Sequence, residues 1–145
     1  MTISKTCKIV AVIFIALFVL IYMGIAMRKV NVTDISGAMI TFVYCDTNIN
    51  EKLTSEEAEI LKNIVNGKRL GLGGGFSCGF TPDISFRFVN MFFLPANDTC
   101  EIIKVEKQYK NGKRKDSDIY ILITEEEKQK IYDIFKKYGG YFPCV

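Results

Sequence analysis

Cysteine is the most reactive residue type in this chain, because histidine is absent. Without histidine, a Ser-His-Asp triad, a Cys-His dyad and a His-ligated zinc site cannot be built. Apart from Cys7, the cysteines are widely spaced and include no C-x-x-C pair; they are Cys45, Cys78, Cys100 and Cys144. Zinc knuckles and thioredoxin-like sites use close pairs, so this spacing favours structural disulfides over a metal or redox centre.

A predicted hairpin suggests which cysteines pair. Residues 83–89 and 91–95 have the composition of two strands that turn near Asn90. A hairpin centred there places Cys78 opposite Cys100 at the base of its arms, within reach of a disulfide bond. Cys45 would then pair with Cys144. The alternative is four buried free thiols, because unpaired cysteine packs as a small hydrophobe. Cys78 as a nucleophile is a further alternative, which would need an activating group that the sequence does not place.

A basic loop is the second candidate site, and it could contact anionic lipid or an acidic partner. Its cations are Lys107, Lys110, Lys113, Arg114 and Lys115. The alternative is a solvated hairpin tip, because acidic Asp116 and Asp118 adjoin the loop.

Three carboxylates in loops or at strand ends, Asp46, Asp83 and Asp98, could serve acid–base chemistry or calcium if two of them approached one another. The usual role of such residues is to form turns. The glycine-rich stretch 71–79 lacks the Gly-Lys-Ser/Thr ending of a phosphate loop and predicts a flexible connection instead. We therefore predict no catalytic residue, no cofactor and no metal site.

Residues 9–27 are free of charged side chains and predict one transmembrane helix. As a helix this run is about 28 Å long, close to the hydrocarbon thickness of a bilayer. Lys5, Lys8 and the free amine precede it, and Arg28 and Lys29 follow it, a slight bias towards an N-terminus inside the cell. We expect residues 1–8 in the cytoplasm and the rest outside it. Signal-peptide cleavage near Ala26 is the alternative, which the basic pair after the run disfavours.

The net charge of +3 belongs to the flanks of this apolar run, because the remaining 15 Lys and Arg face 16 Asp and Glu. A near-neutral domain offers no general electrostatic attraction to nucleic acid. We therefore expect the membrane, and a protein or envelope component, as partners, and no nucleic acid.

The rest of the chain predicts an α+β domain. Capping boxes begin two helices, at Thr54 with Glu57 and at Thr124 with Glu127. The predicted order is β-α-β-β-β-β-α, an antiparallel sheet of about five strands with both helices on one face. Its strands are 39–45, 83–89, 91–95, 101–109 and 118–123. Residues 28–37 are predicted as a juxtamembrane linker, and 38–145 as the domain.

Three cysteine-containing segments resemble those of small uncharacterised domains of low-GC Gram-positive bacteria. They are 77–83, 94–100 and 138–144, and the resemblance covers about residues 75–145. It implies an extracytoplasmic, structural role for the cysteines and brings no activity or substrate with it.

The sequence as a whole favours a membrane-anchored extracytoplasmic domain that binds a protein or envelope component without enzymatic activity. Two alternatives stay open. The first is a small subunit or regulator of a membrane complex, whose helix also packs against a partner. The second is a redox protein or enzyme that uses a cysteine thiol.

Overall fold

The structure is a computed structural model that describes residues 5–26, 28–72, 78–109 and 113–142. Helix α1 (Lys5–Ala26) precedes an α+β domain that contains helices α2 (Ser55–Val65) and α3 (Glu125–Lys137). The described strands are β1 (Met39–Tyr44), β2 (Thr47–Lys52), β3 (Gly71–Leu72), β4 (Ile84–Phe88), β5 (Met91–Pro95), β6 (Ile102–Gln108), β7 (Arg114–Lys115) and β8 (Ile119–Leu122).

Helix α1 is long and apolar enough to cross a membrane or to act as a signal sequence. Its span Cys7–Gly24 has a mean hydropathy of 2.6, and none of it is buried. A core helix of a soluble domain buries at least one face, and this span buries none. An all-round apolar surface of this kind is satisfied by lipid.

The described strands form one antiparallel sheet, in the order β2-β1-β4-β5-β6-β8-β3, with β7 paired to β6. The α+β class is as predicted, but the five predicted strands were too few. β2 was missed because its sequence is almost entirely polar, as suits an edge strand with one partner. It follows β1 through a turn at Cys45 and Asp46, where Cys45 has a φ of 49°. The other two additions, β3 and β7, have two residues each.

One face of the sheet and the inner faces of α2 and α3 enclose a single core. Alternate residues of the central strands point into it, and the large side chains are phenylalanines, as the period of a half-buried strand requires. The Phe86 and Phe93 rings stack with centroids 5.2 Å apart across β4 and β5. The fully buried core residues include Ile40, Phe42, Phe86, Phe93, Ile103, Ile121, Leu61, Val65, Ile131 and Phe135.

Both predicted capping boxes are present with both of their hydrogen bonds. The Thr54 hydroxyl accepts from the Glu57 amide, and the Glu57 carboxylate accepts from the Thr54 amide. Thr124 and Glu127 repeat the arrangement at the start of α3. Each box satisfies amides that the first helical turn leaves without partners, which fixes where α2 and α3 begin.

The segment predicted as a linker is instead part of the domain from Arg28 onwards. The Leu70 amide donates to the Arg28 carbonyl at 2.8 Å, and the Val30 amide donates to the Lys68 carbonyl at 2.9 Å. Val30 and Val32 are each only 3% exposed and belong to the main core. Alternating β-branched residues suit an extended, half-buried segment, which explains why this stretch lies against the domain.

Candidate functional site

Cys78 and Cys100 are joined, with sulfur atoms 2.12 Å apart and Cα atoms 6.1 Å apart. They lie at the base of the β4–β5 hairpin. The turn is at the other end of the hairpin, where Phe88 pairs with Met91. Cys45 has a free, exposed thiol in the structure. Cys144 lies outside the described residues, so the Cys45–Cys144 pairing stays a prediction.

The disulfide holds the connection between β3 and β4 against the face of the sheet that points away from the helices. We call residues 78–83 the outer strap. The Phe80 ring lies 5.5 Å from the Tyr120 ring of β8, and the Gly79 carbonyl accepts the Asn97 amide at 2.9 Å. A Cβ atom at position 79 would overlap the Asn97 side chain, so a larger residue there would force that side chain to move. Leu94, which points to this face, is 1% exposed.

The three candidate carboxylates do not come together. Among the described residues, one group could in principle hold a metal ion, Asp98 with Cys78 and Cys100, but the two sulfurs are committed to the disulfide. Asp98 accepts the Gly79 and Cys100 amides at 2.8 and 2.9 Å, so it stabilises the loop around the disulfide. Asp83 shares hydrogen bonds with Thr81, and Asp46 lies in the β1–β2 turn. These are turn-forming roles.

The basic loop is divided between the two faces of the sheet. Arg114 is on the outer face, where its Nε lies 3.2 Å from a Glu106 oxygen and its guanidinium lies 4.2 Å from the centre of the Phe92 ring. It also donates to the Pro82 carbonyl of the outer strap. Arg114 is thus a structural residue rather than part of a free basic surface. Lys110 lies outside the described residues.

Lys107 and Lys115 are on the opposite face, and they line a cavity of about 320 Å³. We call it the basal cavity. It lies between the segment that follows α1 and strands β5 to β8. Its lining residues are Arg28, Lys29, Val30, Asn31, Leu70, Met91, Val105, Lys107, Lys115, Ser117 and Ile119.

Strand geometry explains how the two lysines reach this cavity. Lys107 is the Cα partner of both Lys115 on β7 and Met91 on β5. Since side chains alternate along a strand, Lys107 shares the face of Val105, whereas Glu106 between them points to the outer face. Arg28 and Lys29 line the cavity from the segment that follows α1. Backbone pairing with Arg69 and Leu70 holds that segment in place.

The charges of the basal cavity are not balanced by its own walls. Four cations and no acidic residue are among its described lining residues. Two of the neighbouring acids are occupied elsewhere: Glu106 pairs with Arg114 and Lys104, and Asp116 pairs with Lys104. A third, Asp118, is exposed and does not line the cavity. The hydrogen bond from Lys104 holds the pKa of the Asp116 carboxyl below its ordinary value. Lys107 and Lys115 lie directly opposite each other, a like-charge arrangement that destabilises neighbouring strands.

Sequence reasoning missed the cavity because its cations come from two distant segments that each had another explanation. Arg28 and Lys29 were the basic flank of the membrane helix, and Lys107 and Lys115 were a hairpin tip. One signal was available: the inward alternation of Ile103 and Val105 continues to Lys107. Lys107 itself is exposed, so this alternation predicts which face of the sheet its side chain lies on, and no buried charge.

The buried carboxylate of Glu57 has a structural explanation. Its side chain is 5% exposed and joins the start of α2 to the end of α3. Lys137 Nζ and the Tyr138 hydroxyl both donate to it, the latter at 2.6 Å, beside the Thr54 amide of the capping box. Burial raises the pKa of the Glu57 carboxyl, but the hydrogen bonds from Lys137, Tyr138 and Thr54 outweigh burial and lower this pKa to about 2.

No known protein family, curated protein or solved structure matches this chain. Its functional interpretation therefore depends on the chemistry of the described residues themselves. Two features carry that chemistry: the apolar helix α1, and the unbalanced basic cavity that begins two residues after it.

Proposed function

We propose that this protein is a membrane-anchored, extracytoplasmic binding domain that holds an anionic component in the basal cavity and catalyses no reaction. The observation that carries the proposal is the set of four cations without an acidic residue among the described cavity walls. The four side chains are exposed, so they attract anions through their summed positive potential, which salt screens.

The opposed lysines of the cavity support a binding role. Lys107 and Lys115 are opposite each other on β6 and β7, and their positive charges repel. An anion bound between the two side chains would reduce this repulsion. Locally unfavourable arrangements of this kind persist in proteins mainly where function requires them. A domain selected for stability alone would gain from an acid or a neutral residue at either position.

The cavity walls favour binding over catalysis. Ser117 is the one hydroxyl among the described lining residues, and its Oγ donates to the Val105 carbonyl at 2.5 Å. No lining carboxylate is present among those residues to act as a general base, and the chain has no histidine. Nucleophilic catalysis by a serine needs such a base within hydrogen-bond reach.

Two observations support a location outside the cytoplasm. The charges that flank α1 favour an N-terminus inside the cell, which would leave the domain on the far side of the membrane. The Cys78–Cys100 disulfide is the kind of bond that persists in oxidising compartments and is rare in a reducing cytosol.

Anion titration of the full chain in a nonionic detergent tests the binding role. We expect inorganic phosphate to raise the melting temperature of the wild type in a saturable way, since a ligand of the native state stabilises it by mass action. The Lys107→Gln/Lys115→Gln variant should lose this response. Without phosphate it should be at least as stable as the wild type, because the repulsion between the lysines is gone.

The matched control is Lys52→Gln/Lys136→Gln, which removes two exposed cations outside the cavity. It is needed because phosphate also stabilises proteins generally, by exclusion from their surface. The control should respond to phosphate as the wild type does. Equal responses from all three chains would refute a specific anion site in the basal cavity.

A further inference from the structure

The basal cavity begins at the depth of lipid headgroups. Helix α1 ends at Ala26, and the cavity residues Arg28 and Lys29 follow within three residues. Three extended residues span at most about 10 Å. Residues 9–26 of α1 are about 27 Å long as a helix, which matches the hydrocarbon core, and each headgroup layer adds about 5–8 Å. When α1 spans a bilayer, two of the cavity's cations therefore lie among the headgroups.

The cavity combines cations with apolar walls, which is the chemistry of a lipid headgroup region. Arg and Lys bind phosphate through charge-assisted hydrogen bonds. The remaining walls are mostly apolar, which a small inorganic anion would not use and which the glycerol and first acyl carbons of a lipid would. The apolar lining residues are Val30, Leu70, Met91, Val105 and Ile119. A volume of about 320 Å³ suits one glycerophosphate-sized group rather than a polymer segment.

Tethering makes a lipid of the same bilayer a favoured occupant. The anchor keeps the rim of the cavity beside the headgroup layer, so the effective concentration of lipid phosphate there is high without any diffusional search. Exposed cations within a Debye length of a bilayer surface are attracted to whatever anionic headgroups its facing leaflet contains. In this chain the cluster is folded into a cavity by Lys107 and Lys115, which are distant in sequence from the helix.

We propose that the basal cavity binds the headgroup phosphate of one anionic phospholipid from the bilayer that holds α1. This inference rests on the proposed function, because it names the anionic component. The bound lipid joins the β6–β7 hairpin to the segment after the anchor, and so fixes the domain against the membrane surface.

The test uses the full chain reconstituted in bilayer discs of phosphatidylcholine with increasing fractions of phosphatidylglycerol. The measured quantity is the melting temperature of the domain. We expect the wild type and the Lys52→Gln/Lys136→Gln control to gain stability with phosphatidylglycerol and to reach a plateau. The Lys107→Gln/Lys115→Gln variant should need at least about tenfold more anionic lipid for the same gain, since two charge-assisted contacts are lost.

A second arm separates a lipid from a free anion. Inorganic phosphate and glycerol 3-phosphate are titrated into discs of phosphatidylcholine alone, and we expect each to have a much weaker effect than phosphatidylglycerol. A full plateau with free phosphate and no further gain from phosphatidylglycerol would overturn the lipid assignment and leave the anion site standing. Equal gains in all three chains would overturn it as a general surface-charge effect. No response of the wild type to lipid or phosphate would overturn both proposals.

Discussion

Replacing Glu57 by glutamine should show how much the interactions of the Glu57 carboxylate between α2 and α3 contribute to the free energy of unfolding. The fall in the pKa of the Glu57 carboxyl from 4.5 to about 2 corresponds to roughly 3 kcal/mol of stability at neutral pH, at about 1.4 kcal/mol per pKa unit. Lys137 is 67% exposed, so solvent screens part of its interaction with Glu57. We therefore expect Glu57→Gln to lower the free energy of unfolding by about 2 kcal/mol at pH 7.

The pH dependence gives the same prediction an independent test. The folded-state pKa of Glu57 is lowered, so its stabilisation is fully present above about pH 4.5 and is lost as the pH falls towards 2. The glutamine variant does not titrate at this position. The difference in the free energy of unfolding between the wild type and Glu57→Gln should therefore close between pH 4.5 and 2.

Urea unfolding of the full chain in nonionic micelles provides the assay, followed by the near-ultraviolet circular dichroism of the tyrosines. This signal comes mostly from the domain, and the chain has no tryptophan to complicate it. The control is Glu126→Gln, whose side chain is 79% exposed and paired only with Lys130, and which should change stability by less than about 0.5 kcal/mol. A Glu57→Gln effect as small as the control, or one that stays constant down to pH 2.5, would refute the reasoning.

Two predictions concern the cysteines. The disulfide closes a loop with a sequence separation of 22 residues, so Cys78→Ser/Cys100→Ser should lower the free energy of unfolding by about 3 kcal/mol. Cys45→Ser is the matched control when both variants are made in a Cys144→Ser chain, where Cys45 has no predicted partner, and it should have little effect there. Equal losses would show that the disulfide does not stabilise the fold as argued. In cells expressing a Cys7→Ser/Cys144→Ser chain, a membrane-impermeant maleimide should label exposed Cys45 without a reductant, and Cys78 and Cys100 only after reduction. Labelling of Cys45 only after lysis would contradict an extracytoplasmic location.

Features that depend on residues close in sequence could be predicted. Both capping boxes need only a threonine and a glutamate three positions apart, so Thr54 and Thr124 predicted the starts of α2 and α3. The turn beside Asn90 fixes the register of β4 with β5, because pairing in a short hairpin follows from its centre. That register also places Cys78 near Cys100. In each case a local signal determined the contact.

Features that depend on distant partners could not be predicted. The polar strand β2 has no hydrophobic alternation of its own and exists because β1 offers it an unpaired edge. Val30 and Val32 looked like part of a linker because their partners lie more than 30 residues away, in the segment 66–70. The basal cavity combines both difficulties, since Lys107 and Arg28 meet only after the sheet has formed and the segment after α1 has docked on it.

When α1 spans a bilayer, as we propose, the backbone hydrogen bond from the Leu70 amide to the Arg28 carbonyl also determines how far the domain reaches from the membrane. A free linker of ten residues would add an average of about 17 Å and allow the domain to swing. With that segment docked, reach is set by the domain itself, which at 118 residues from Arg28 onwards has a radius of gyration of about 13 Å. Anything the protein meets must therefore come within about 40 Å of the bilayer. A domain anchored in this way can bind only components that lie in this layer next to the membrane surface.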